Sequence, residues 1–174
     1  QREAEKIALP QAEVDRITAY FAPPAFETLP ETSDDFEEAR KNDVGFARWV
    51  ETSVSAHKAS GYVSVTVSLK PLGVAAGDAT SEQMRVVADL GRVYGFDDIR
   101  VSHVQNLVLP HVKLDDLYKV YVALDDAGLA TANVDLGSDL ICCPGLDYCN
   151  LANARSIPVA MDVQEMLAKN DRER

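Results

Sequence analysis

The sequence predicts an α+β fold built on a split βαβ unit, and three observations carry that prediction. From Gly61 onward Val63, Val65, Val67 and Leu69 alternate with Tyr62, Ser64, Thr66, Ser68 and Lys70, the period-two pattern of a strand with one buried face. Thr80-Ser81-Glu82-Gln83 then reads as a capping box ahead of an apolar stripe with helical spacing. Two short apolar runs and a second amphipathic helix follow, so the order is strand, helix, strand, strand, helix, strand.

Taken in order, residues 1–60 read as a helical approach arm. Pro10 opens a helical pattern in which Val14, Ile17, Tyr20 and Phe21 share a face, and Pro23-Pro24 stops it. An acidic helix begins near Ser33, with Phe36 and Ala39 on its inner side. Gly45 interrupts, and Phe46 and Trp49, the only tryptophan, follow three apart; Trp49 reads as an anchor that packs the arm onto the domain.

Residues 61–142 read as the domain itself. After the alternating strand, Pro71 to Ala79 is a turn-rich connection, and the capped helix places Met84, Val87, Ala88, Gly91 and Tyr94 on one face before Gly95 ends it. Ile99–Val104 and Leu107–Val112 are short strands around His103-Val104-Gln105-Asn106, and Pro110 argues that the second lies at an edge. Leu114, Leu117, Tyr118, Tyr121 and Leu124 mark the second helix, closed by Gly128, and Asp139 to Cys142 supplies a last short strand. This is the ferredoxin-like arrangement, an antiparallel sheet with both helices on one face, here with an N-terminal helical arm and a C-terminal helix in the remaining residues 143–174.

Composition narrows the function classes. The 174 residues carry a formal charge of −11 with no basic stripe, which argues against nucleic acid as a partner. No apolar run approaches the roughly 20 residues of a membrane span. Three cysteines, an odd number with no secretory signal among the first residues, point to reduced thiols in a cytoplasm.

All three cysteines fall within eight residues, Cys142-Cys143-Pro144-Gly145-Leu146-Asp147-Tyr148-Cys149, at a strand end, across a Pro-Gly turn and in the first turn of a helix. Thiols so placed suit a metal, but tetrahedral zinc and iron–sulfur sites usually take four protein ligands. The five-residue gap between Cys143 and Cys149 is too long for the common zinc knuckle, and small core residues are the plain alternative. Gln105 and Asn106 at the strand junction carry amides that can grip a ligand or serve the turn. His57 and His111 have no partner pattern and read as solvated or core residues. No Ser-His-Asp arrangement is present, and Gly73-Val74-Ala75-Ala76-Gly77 lacks the ending of a phosphate loop.

Gly61-Tyr62-Val63-Ser64-Val65, the capped helix, Arg100 to Leu107, Leu124-Asp125-Asp126-Ala127-Gly128-Leu129 and Cys143 to Cys149 with Ala154-Arg155-Ser156 together resemble the siroheme-dependent nitrite and sulfite reductases over roughly residues 46–160. Such enzymes have two related halves, with siroheme between them coupled to a 4Fe-4S cluster, and reduce sulfite to sulfide or nitrite to ammonia by six electrons. The resemblance implies that Cys143 and Cys149 are the first two of four cluster ligands, the second pair being a C-x3-C with no counterpart before Arg174. It implies that Gln105 and Asn106 lie near siroheme, although Ser102 and Val104 replace the residues common beside that motif, and that Cys142 lies outside the ligand pattern.

The resulting expectation is a fragment of an assimilatory sulfite or nitrite reductase, the second half-domain and the start of its cluster domain. Alone it would be inactive and hold neither cofactor. Its partners would be the missing half of the parent protein and a ferredoxin or flavoprotein electron donor, and the isolated piece would pair with itself as a homodimer. The alternative is a free-standing ferredoxin-like binding module with a redox-active or metal-binding cysteine pair.

Overall fold

The alternation from Gly61 forms the centre of the sheet. In the computed structural model, which describes residues 8–171, strands β1 (Val54–Ala56), β2 (Tyr62–Val67), β3 (Arg100–Val101) and β4 (Leu107–Lys113) make a four-stranded antiparallel sheet in the order β1-β2-β4-β3. Val65 faces Leu109 and Val63 faces Val112 across the central pair, with a register shift between them.

Among the described residues six α-helices accompany it: α1 (Gln11–Tyr20), α2 (Asp34–Asn42), α3 (Val44–Ser53), α4 (Ser81–Tyr94), α5 (Leu117–Asp126) and α6 (Ser156–Asp171). The starts follow local chemistry. Ser33 accepts from the Phe36 amide at 3.2 Å, Asp43 from the Phe46 amide at 2.9 Å, and Thr80 and Gln83 close the expected capping box. Pro158 is tolerated because it lies in the first turn of α6, where its missing N–H costs no helical bond.

One core joins the layers. Val87 and Leu90 of α4 and Leu117, Val120 and Leu124 of α5 pack with Val65, Val67, Leu109 and Val112 of the sheet. Phe46 and Trp49 belong to the same core, Trp49 stacking on Phe46 and tilting onto Tyr121 at 5.3 Å between ring centres. The tryptophan anchor is thus observed, and the packed unit extends N-terminally through α3 and β1, ahead of residue 61. Among the described residues no helix is long and apolar enough to cross a membrane.

Four local expectations are corrected. Asp139 to Cys142 is not a strand. The edge beside β2 that a closing strand would take is filled by β1, so the 139–142 segment finds its hydrogen bonds elsewhere. The Ile99–Val104 strand shrinks to Arg100–Val101 because Ser102 and Asn106 already close a turn, with Asn106 O accepting from the Ser102 amide at 2.8 Å. Pro110 sits inside β4, the third strand of the sheet, and not at an edge. Its lack of an N–H is tolerated because β3 pairs only as far as Val108 and the β2 register shifts opposite it. In α4 the buried stripe is Val87, Leu90 and Gly91, leaving Met84 exposed.

Candidate cofactor site

The sheet delivers two polar residues to one rim. Gln105, at the turn between β3 and β4, has a left-handed backbone with φ 59°. Its side-chain amide donates to the Cys142 carbonyl at 2.8 Å and accepts from the Cys142 N–H at 2.8 Å, as a neighbouring strand would. A side chain therefore holds the main chain of the first cysteine where the sequence suggested a strand. Asn106 is fully buried. It accepts from the Leu69 N–H at 3.2 Å and donates to Asp139 Oδ1 at 3.2 Å.

Beneath them lies an ion pair that the sequence did not disclose. Lys70 Nζ meets Asp139 Oδ1 at 2.6 Å with side-chain exposures of 0% and 5%. Asp139 also accepts from the Asp135 N–H at 2.9 Å, so the carboxylate gathers three donors: an ammonium, an amide and a main-chain N–H. A buried charge of either sign is tolerated only when so compensated. Helix α6 seals the arrangement. Gln164 donates to the carbonyls of Lys70 and Ser138 at 2.8 and 3.1 Å, Asn133 donates to the Lys70 carbonyl at 3.1 Å, and the Asp171 carboxylate accepts from the N–H groups of Gly137 and Ser138. The segment that ends at Cys142 is fastened from both sides.

Beyond that point the chain makes the cysteine turn. Gly145, with φ 58°, begins a single 3-10 turn, and the Cys149 N–H returns to the Gly145 carbonyl at 2.9 Å. Only glycine fits there. A Cβ would lie 2.7 Å from the Ala154 carbonyl and 2.8 Å from the Ser156 nitrogen, in a backbone region that other residues avoid. The Leu146 N–H reaches the Ala154 carbonyl at 3.0 Å, and Arg155 grips Asp147 at 2.6 Å, which folds residues 150–156 back onto the turn. Cys149 therefore sits at the end of the 3-10 turn, not in the first turn of a helix, since α6 starts only at Ser156.

The three thiols differ. Cys143 is exposed and Cys149 half-buried, on either side of the turn. Cys142 is half-buried, donates to the Cys143 carbonyl at 3.1 Å, and has its thiol pKa raised, first by burial and then by the neighbouring Cys143. Its surroundings thus disfavour the thiolate that ligation needs. A cavity of about 610 Å³ opens beside the turn, with Met84, Val101, Gln105, Asn106, Cys142 and Tyr148 among its walls. Among the described residues no group of three or more His, Cys, Asp or Glu side chains is placed to hold a metal ion.

The sequence-derived residues thus come together in part. Gln105 and Cys142 are bonded directly, Asn106 is joined to them through Asp139, and Cys143 and Cys149 bracket the adjoining turn. His103, at the same junction, is exposed and outside this network. Lys70, Asp139, Asn133 and Gln164 were missed; the alternation of β2 put Lys70 on a solvent face that α6 and the 133–139 segment in fact cover.

Residues 57–127 match the family described as the nitrite/sulfite reductase ferredoxin-like half domain. Over 90 residues the chain is 33% identical to a protein of Mycolicibacterium paratuberculosis named sulfite reductase (ferredoxin) 2. That stretch is 51% of this chain and 16% of the relative, so the match spans about one sixth of the relative's length. The antiparallel sheet, the two helices packed on it and these matches agree: residues 57–127 form a ferredoxin-like half domain similar to that of the nitrite/sulfite reductases.

Proposed function

We propose that the chain is the second half-domain and the opening of the cluster domain of an assimilatory sulfite or nitrite reductase, with Cys143 and Cys149 as two of the four thiolate ligands of a 4Fe-4S cluster. One observation carries the reading: the half-domain, through Gln105 and Asp139, fastens the main chain that runs into the C-x5-C turn. The donor set fits half of such a site. Two soft sulfurs, one exposed and one half-buried, flank a turn held by main-chain hydrogen bonds, and the other two ligands would come from chain outside these 174 residues. When bound, the cluster would supply electrons to siroheme.

In this reading Gln105 and Asn106 act as positioning residues. They hold the cysteine turn and form part of the wall of the cavity beside it, the side from which siroheme would approach in this reading. The missing half of the enzyme would cover the exposed Leu146, Tyr148 and Leu151, and a ferredoxin or flavoprotein in a reducing cytoplasm would supply electrons. A free-standing module with a vicinal redox pair fits less well, because burial raises the Cys142 thiol pKa and lowers its reactivity.

Anaerobic incubation of the 174-residue chain with iron and sulfide tests the proposal. With two of four ligands it is expected to take up well under four irons per chain and to run as a two-fold dimer in light scattering. A monomer carrying a full cluster would count against it.

A further inference from the structure

Away from the cysteine turn and lining a different cavity, the two histidines that lacked any partner in the sequence meet. His57 Nε2 lies 3.1 Å from His111 Nδ1, and the outer nitrogen of each ring is also engaged. The Ala59 N–H donates to His57 Nδ1 at 2.9 Å, and His111 Nε2 faces Asp98 Oδ2 at 3.4 Å. A main-chain N–H can only donate, so His57 Nδ1 is the acceptor and its proton resides on Nε2. That proton points at His111 Nδ1, which must accept it, and the His111 proton points at Asp98. The order Ala59, His57, His111, Asp98 is a directional chain that holds two neutral rings and has no place for a third ring proton. It is also unsuited to a bridging metal, since His57 would have to lose both ring protons while still accepting from Ala59.

The rings form the walls of a box around Phe26. Its ring lies edge-on to His57 and His111 at 5.2 Å, to Tyr62 at 5.1 Å and to Phe96 at 5.7 Å. The segment around Phe26 makes few other tethers: the Glu27 N–H to the Tyr62 hydroxyl at 3.2 Å, the Glu27–Lys113 ion pair, and Leu29 against Gly61.

We infer that the His57–His111 pair is a pH-operated latch, which in its neutral form holds residues 23–30 against the sheet and on taking up one proton lets them go. An added proton must go either on His111 Nδ1, facing the His57 proton, or on His57 Nδ1, facing the Ala59 N–H. Either breaks a link of the chain. His57 is the half-buried ring with a way out to solvent, and its departure removes one wall of the Phe26 box.

The charged and titratable groups facing the pair come from three sides. Asp98, held by Arg100 at 2.7 Å, lies at the His111 end, the Tyr62 ring of β2 lies 5.9 Å from that of His57, and Tyr20, Lys58 and Asp97 line the cavity beside the pair, with the Glu27–Lys113 ion pair next to Phe26 along the chain. Asp98 favours an imidazolium, whereas burial first, then His57 and Arg100, disfavour it, and the net effect lowers the His111 pKa. The closed form therefore binds a proton less readily than the open one. Its advantage is complete above the ordinary histidine value of about 6.5 and is lost as pH falls below that value toward the lowered pKa.

Amide hydrogen exchange by NMR, corrected for intrinsic rates, tests this on the whole chain at pH 7.5 and 5.5. Linkage to one proton predicts that protection of the Glu27 and Ala59 amides falls, by at most about tenfold, while Val65 and Leu109 in the sheet hold theirs. In the double variant His57→Gln/His111→Gln, which leaves neither ring to titrate, the two arm amides should lose this pH dependence. Long-range nitrogen–proton spectra of the wild-type rings should show both protons on Nε2 at pH 7.5, a readout that stands even if the variant folds poorly. Arm protection unchanged between the two pH values, sheet and arm amides falling together, or an Nδ1 proton on either ring would each overturn the latch.

Discussion

Asp139→Ala is expected to destabilise the protein by about 3–5 kcal/mol, because it leaves the Lys70 ammonium buried without its counter-charge. For a chain of this length that corresponds to a fall in melting temperature of roughly 6–20 °C. The partners predict an asymmetry. Lys70→Met removes the ammonium but leaves the Asp139 carboxylate its other donors, the Asn106 amide at 3.2 Å and the Asp135 N–H at 2.9 Å. That change should cost less, about 1–3 kcal/mol. The double variant Lys70→Met/Asp139→Ala should cost less than the sum of the two, since neither charge is then stranded. Thermal melts of the four proteins check this; additive losses would show that the two charges are not coupled.

Trp49→Ala should cost about 3–5 kcal/mol, as does removal of a large aromatic from a filled core. Trp49 is 1% exposed and packs with Phe46 and Tyr121, which joins α3 to α5. If α3 were a loosely attached arm, the loss would be far smaller. Because Trp49 is the only tryptophan, the wild-type protein carries its own probe. Its fluorescence and the far-UV circular dichroism should change in one coincident urea transition. A fluorescence transition at clearly lower urea would separate α3 from the domain.

What could be read in the sequence was what neighbouring residues decide among themselves. The β2 alternation, the Thr80–Gln83 box, the Ser33 cap and the Trp49 anchor each depend on spacing within a few residues, and each is present. What could not be read depends on distant chain. β1 has three residues, too few to show a period, yet it fills the edge that Asp139 to Cys142 seemed to need. Lys70 looks like a solvent-facing residue until α6, 94 positions on at Gln164, folds over its carbonyl. His57 and His111 are 54 apart and carry no pattern that joins them. The candidate site divides along the same line. Cys143, Cys149, Gln105 and Asn106 stand out by residue type, whereas the links between them, the Gln105 clamp on Cys142 and the Asp139 hub, exist only in three dimensions.

The division of labour among the thiols carries the functional account. Cys142 is held by its main chain and has its thiol pKa raised by burial, while Cys143 and Cys149 flank the turn that only Gly145 permits. Counting iron and acid-labile sulfide in the protein expressed from its whole reading frame and purified without oxygen tests that division most directly. The account predicts four acid-labile sulfides and five irons per chain, four in the cluster and one in siroheme, in the wild type and in Cys142→Ser, and loss of the acid-labile sulfide in Cys143→Ser and in Cys149→Ser. A full iron complement in either of the last two variants would contradict it.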